Sequence, residues 1–96
     1  MRLYTLKTEQ GHWYHIHANG NIERGDGQNG NGSDSWTLVG LKHTKRNETI
    51  RFEDLVTQLP KLAVRFKNGK GQYTMLDYDH GTMRRWSARI TELYAI

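Results

Sequence analysis

The stretch from Asp77 to Trp86, DYDHGTMRRW, gathers two carboxylates, an imidazole, two guanidiniums and an indole. Such a set suits acid–base chemistry or a metal, provided that the groups converge. The neighbouring sequence points elsewhere. His80-Gly81 is a two-residue turn signal between the alternating stretches YTMLDYD and TMRRWSARI. The segment therefore reads as the tip of a β-hairpin. In that hairpin Asp77 faces Arg84 as an ion pair at the rim, Asp79 flanks the turn and His80 occupies it.

His15 and His17 form a second group. Residues i and i+2 of a strand share a face about 7 Å apart, so two imidazoles there suit one metal. A third ligand would have to come from His12, His43, His80 or a carboxylate. Trp13 shares that face, however, and a two-residue turn at Asn19-Gly20 places Arg24 opposite His15. A cation beside the ligands disfavours a metal. The expectation is no metal and no cofactor.

Gly25, Gly27 and Gly30 reproduce the glycine spacing of a dinucleotide-binding loop, but no helical pattern follows them. Neither a serine nucleophile elbow nor a phosphate-binding Walker loop occurs. Without a catalytic constellation the chain reads as non-enzymatic.

The elements that carry these residues are mostly strands. Turn signals at Asn19-Gly20, Asn68-Gly69 and His80-Gly81 each separate alternating stretches. Further strands are expected over Arg2–Lys7, Trp36–Leu41 and Thr49–Phe52. One short helix is expected near 52–59, with Glu53 and Asp54 in its first turn and Pro60 ending it. Residues 25–35, GDGQNGNGSDS, read as a flexible glycine-rich loop. The fold class is mainly β: a small antiparallel sheet or partly open barrel of about six to eight strands, in a single domain spanning 1–96. An oligonucleotide-binding-type barrel and a two-sheet sandwich are the alternatives.

Two-residue turns at 68–69 and 80–81 would fix the pairing of three consecutive strands over residues 61–90. Val64 then faces Tyr73, and Met75 faces Trp86. One face carries Leu62, Val64, Phe66, Tyr73, Met75, Trp86, Ala88 and Ile90, and reads as core. The opposite face carries Lys61, Arg65, Thr74, Arg85 and Arg89, with Tyr78 toward one end. Cations flank a small polar centre, which makes this face the expected ligand site. Lys42, His43, Lys45 and Arg46 form a secondary basic cluster in the expected loop after Leu41.

Charge supports an anionic partner. Residues 1–40 carry three basic and four acidic groups, whereas residues 41–96 carry eleven basic and six acidic groups. The second part thus holds the whole positive excess, a pattern that suits nucleic acid, nucleotides or an acidic protein surface. There is no cysteine, so disulfides and thiolate metal sites are excluded. No apolar run approaches the roughly 20 residues of a membrane span, and none suits an export signal, so a cytoplasmic protein is expected.

Three functions follow. The first is a binding module that captures nucleic acid or a nucleotide through a basic sheet face. The second is a small accessory or inhibitor protein of phage or mobile-element type that blocks another protein. The third is a histidine–metal enzyme.

Overall fold

The computed structural model describes residues 2–25, 27–30, 32–43, 48–67 and 74–95, with backbone alone at 32–35, 56, 59–60, 62–63, 66 and 95. Its elements are β1 (Arg2–Thr8), β2 (Trp13–His17), β3 (Asn21–Gly25), β4 (Gly32–His43), β5 (Glu48–Arg51), α1 (Phe52–Lys67), β6 (Thr74–His80) and β7 (Met83–Ala95). All pairings are antiparallel, in the order β3-β2-β1-β7-β6-β4-β5, and β3 pairs with β4 as well. Six strands therefore close into a barrel. The long β4 uses one edge twice, pairing with β3 through Trp36 and Thr37 and with β5 from Gly40 to His43. Closure hides the strand edges that an open sheet would expose. The mainly β expectation holds.

Alternation sends one set of side chains into the barrel. Leu6, Ile16, Ile22, Leu41, Leu76 and Ile90 are buried there, joined by Leu55 from α1. Truncating one such leucine to alanine costs about 2–5 kcal/mol, because the closed wall cannot collapse onto the cavity. Phe52 packs against Gly20 in the β2–β3 turn, so the helix starts at the end of the barrel where β1 begins, here called the lower end. Among the described residues no helix is long and apolar enough to cross a membrane.

The helix corrects the expected strand over 61–67. It runs on through Pro60 to Lys67. Proline inside a helix loses one backbone donor and crowds the preceding turn, at a cost of about 3 kcal/mol. The apolar spacing at Phe52, Leu55, Leu59, Leu62 and Phe66 is helical, and Val64, which the strand reading buries, is 58% exposed. Glu53 and Asp54 in the first turn and Arg65 and Lys67 in the last complement the helix dipole. Asn68-Gly69 and Tyr73 lie outside the described residues.

Two turns also differ. β2 and β3 pair as His15↔Glu23 and Ile16↔Ile22, one residue away from the expected register. The loop is Ala18-Asn19-Gly20, closed by a Gly20 N–H to His17 carbonyl bond of 3.0 Å, with Gly20 at φ 88°. Three-residue loops ending in left-handed glycine are the next most favourable hairpin after the two-residue turn. At the other hairpin His80 pairs with Met83, which makes Gly81-Thr82 the turn. β4 begins at Gly32, inside the stretch read as a loop, so the β3–β4 connection is 26–31.

The faces of β6 and of β7 up to Ser87 are reversed relative to the sequence reading, whereas Arg89 faces outward and Ile90 lies in the core as expected. Thr74, Leu76 and Tyr78 point into the barrel, while Trp86 lies outside and is 55% exposed. A bulge explains why no single alternation fits β7. The register shifts between Met75↔Arg89 and Asp77↔Trp86, so Trp86 and Arg89 face outward although they differ in parity. Ser87 sits at the bulge and its Oγ accepts the Leu76 N–H at 2.8 Å.

Candidate anion-binding face

The outer surface of β5-β4-β6-β7 collects most of the exposed chemistry. Side chains directly opposite in an antiparallel ladder share a face. One row across the sheet is therefore Thr49, Lys42, Met75 and Arg89, and the next is Arg51, Gly40, Asp77 and Trp86. Thr37, Asp79 and Arg84 form the third row. Four cations thus lie around one exposed indole.

Asp77 is fully buried although it sits on this outer face. Arg84 covers it: Nε donates to Oδ1 at 2.8 Å and Nη2 donates to Oδ2. The two parallel bonds hold both groups in one geometry, and the carboxylate raises the Arg84 pKa further. The expected Asp77–Arg84 ion pair is present, but diagonally, because Arg84 is the ladder partner of Asp79.

Trp86 lies beside this pair. The Lys42 ammonium stands 3.6 Å from its ring centroid, a cation–π contact with the ring still open to solvent. Arg89 reaches Glu9 with Nε at 2.9 Å and Nη2 at 2.8 Å. Both partners are exposed, so the pair is weakly held and exchangeable. Arg51 is exposed beside Gly40, where an added Cβ would stand 2.2 Å from the Ile50 carbonyl oxygen. Glycine at 40 therefore allows β5 to approach β4 closely. Arg84 faces Asp77 and Asp79 and Arg89 pairs with Glu9, so the four cations exceed the three carboxylates by one charge. Lys42 and Arg51 meet no carboxylate among the described residues.

The structure disperses the expected ligand set. Lys61 and Arg65 are exposed on α1 rather than on a sheet face. Thr74 is buried at the start of β6. Tyr78 is buried inside the barrel against Trp36, and Arg85 stands beside it in the ladder at the upper end. Arg89 alone of that set lies on the outer face just described. In the secondary cluster Lys42 and His43 belong to β4, whereas Lys45 and Arg46 lie outside the described residues. Sequence reasoning missed Trp86 and Arg51. The two-residue-turn register puts Trp86 on the core face, although the flanking Arg84 and Arg85 already mark a wet neighbourhood.

The opposite side of the barrel holds the two histidines. His15 is fully buried on the outer face of β2, beside Gly25 and Gly30. Its Nδ1 meets the Thr5 hydroxyl at 2.9 Å, and Nε2 faces Gly25 so closely that an added Cβ would stand 2.3 Å away. Burial lowers the His15 pKa, and the Arg2 charge lowers it further. Glu23, not Arg24, lies opposite His15, so the sequence argument from Arg24 fails; Arg2 is the cation nearby. Glu23 instead pairs with His17 at 3.3 Å and Arg2 at 3.5 Å. Among the described residues no three His, Asp or Glu side chains are grouped to hold a metal. No family profile matches this chain, and no curated protein or solved structure matches it either, which leaves the chemistry of its own surface as the guide to function.

Proposed function

We propose that the protein is a small, basic, non-enzymatic module that binds single-stranded nucleic acid on the outer face of β5-β4-β6-β7. The observation that carries this reading is Trp86, 55% exposed with the Lys42 ammonium over its ring. An exposed aromatic beside cations is the arrangement on which bases stack while phosphates are neutralised. The width of the face favours a strand over a mononucleotide. Arg51, Lys42 and Arg84 or Arg89 sit on β5, β4 and β7, and three interstrand steps span about 14 Å. Cations spread over that width can each meet a different phosphate of a strand. The cytoplasm is the compartment proposed, because such strands are met there.

The test is a fluorescence-anisotropy titration of a labelled single-stranded oligonucleotide at several salt concentrations, with duplex DNA and a mononucleotide alongside. The single strand should bind tightest, and its affinity should fall linearly on a log–log salt plot. Equal binding of duplex, or none of the three binding, would defeat the reading. A second reading, an accessory or inhibitor protein that covers another protein, draws on Met83 at 57% exposure on the same hairpin as Trp86. Methionine and tryptophan are enriched at protein interfaces. That reading predicts protein capture that Trp86→Ala abolishes and that salt scarcely weakens.

A further inference from the structure

Asparagine followed by glycine occurs at Asn19-Gly20, Asn29-Gly30, Asn31-Gly32 and Asn68-Gly69. Such a pair is chemically labile. The amide nitrogen of the glycine can attack the asparagine side-chain carbonyl, and glycine has no Cβ to hinder the approach. Whether a pair reacts depends on how firmly the fold holds that amide and that side chain. Asn31, Asn68 and Gly69 lie outside the described residues; the first two pairs lie within them, and the fold treats them differently.

Asn19-Gly20 is locked. The Gly20 N–H donates to the His17 carbonyl at 3.0 Å, and the Gly20 carbonyl accepts the Leu38 N–H at 2.8 Å. Asn19 Oδ1 accepts the Asn21 N–H at 3.0 Å, which fixes the side chain. Gly20 is itself buried, with the Phe52 ring against it. Reaction here requires the β2–β3 loop to open first.

Asn29-Gly30 closes a turn over Gly27–Gly30 in the β3–β4 connection. The Gly30 N–H reaches the Gly27 carbonyl only at 3.4 Å, longer than an ordinary backbone bond. Asn29 is exposed, and no hydrogen bond to another described residue holds its side chain. The attacking amide and the carboxamide are therefore both loosely held. The anchored part of the turn is the Gly30 carbonyl, which accepts from Arg2 Nη2 at 2.8 Å and meets His15.

We propose that Asn29 is a site of spontaneous deamidation, and that the reaction loosens the anchor at Gly30. The Gly30 nitrogen gives up its proton and bonds to Asn29 Cγ. The Cγ–Nδ2 bond breaks, and ammonia leaves carrying that proton. The cyclic imide so formed takes up one water, the only co-reactant. Opening between the nitrogen and Cγ leaves an ordinary aspartyl residue. Opening between the nitrogen and the backbone carbonyl leaves an isoaspartyl residue, whose main chain runs through Cβ and Cγ and is one carbon longer. Both products add a negative charge, but only the isoaspartyl form lengthens the chain beside Gly30 and draws its carbonyl away from Arg2. The outer face of β5-β4-β6-β7 takes no part.

The test is incubation of the full chain in mildly alkaline buffer made with heavy-oxygen water, folded and in urea, followed by peptide mapping that separates aspartyl from isoaspartyl products. In the folded chain heavy oxygen should enter position 29 about tenfold or more faster than position 19, the effect of hydrogen bonds that must open first. In urea the two rates should converge. Equal rates in the folded chain, a faster reaction at Asn19, or a gap of the same size in urea would overturn the proposal. The isoaspartyl fraction, isolated by ion exchange, should unfold at a lower urea concentration than the Asn29→Asp variant, which carries the same charge without the longer chain. Equal midpoints would overturn the link to the Gly30 anchor.

Discussion

The outer surface of β1-β2-β3 and that of β5-β4-β6-β7 both carry ion pairs and aromatic residues, but they differ in how much of them is covered. On the first, Glu23 answers Arg2 and His17, Lys7 answers Glu92, and the Gly30 carbonyl accepts from Arg2 at 2.8 Å. Trp13 stacks on Tyr94, and His15 is buried under Gly25. On the second, Trp86 has its ring exposed, Arg51 is exposed, and Lys42 meets only an indole face among the described residues. The first face is covered, although His15 Nε2 and His17 Nε2 have no hydrogen-bond partner among the described residues. Cationic and aromatic groups left facing water, as on the second, are available to a partner. The difference is between a sealed face and an open one.

Changes to the sealed face should act on stability alone. The largest effect is expected for Gly25→Ala, because the new methyl would overlap the His15 ring, whose Nε2 lies 2.3 Å from the ideal Cβ position. Overpacking of this kind costs about 1–3 kcal/mol. Urea unfolding should show the loss while oligonucleotide affinity of the folded protein is retained. A loss of affinity at full stability would mean that the sealed face binds.

Acid should weaken the same face. The folded-state pKa of His15 lies below its ordinary value of 6.5, so the unfolded chain takes up a proton that the folded one refuses. The stability linked to His15 is therefore complete above about pH 6.5 and is lost as pH falls toward the lowered folded value. Arg2, Glu23 and His17 are the charged groups that face the imidazole. His15→Gln should flatten the slope of the urea midpoint against pH; an unchanged slope would remove His15 from the account. The smallest effect belongs to the open face. Glu9→Gln frees Arg89 from an exposed pair worth roughly 0–1 kcal/mol, so stability should scarcely move and oligonucleotide affinity should rise slightly.

Much of the fold was legible from local pattern, and what was not depended on long-range closure. β1, β2, β3 and the hairpin of β6 and β7 follow from alternation between glycine turns. The slip at Ala18-Asn19-Gly20 was not visible, since Asn-Gly serves a two-residue turn as readily as the end of a three-residue one. Leu62 and Phe66 fit strand and helix spacing alike, and Pro60 tilted the reading toward the strand; Phe52, Leu55 and Leu59 continue the helical period and were the better guide. The bulge at Ser87 has no local signature, and it alone decides that Trp86 faces out while Ile90 faces in. Lys42 and Arg89 were seen as cations, but their meeting around Trp86 required the β4–β6–β7 pairing.

The most direct test of the open face is the affinity of a single-stranded oligonucleotide for the parent protein and for the Lys42→Ala, Trp86→Ala double variant, with thermal stability measured on both. Losing one stacked base and its cation should weaken binding by about 1–3 kcal/mol, roughly 10- to 100-fold, with the melting temperature nearly unchanged because both side chains reach solvent. Equal affinity in parent and variant, at equal stability, would contradict the account.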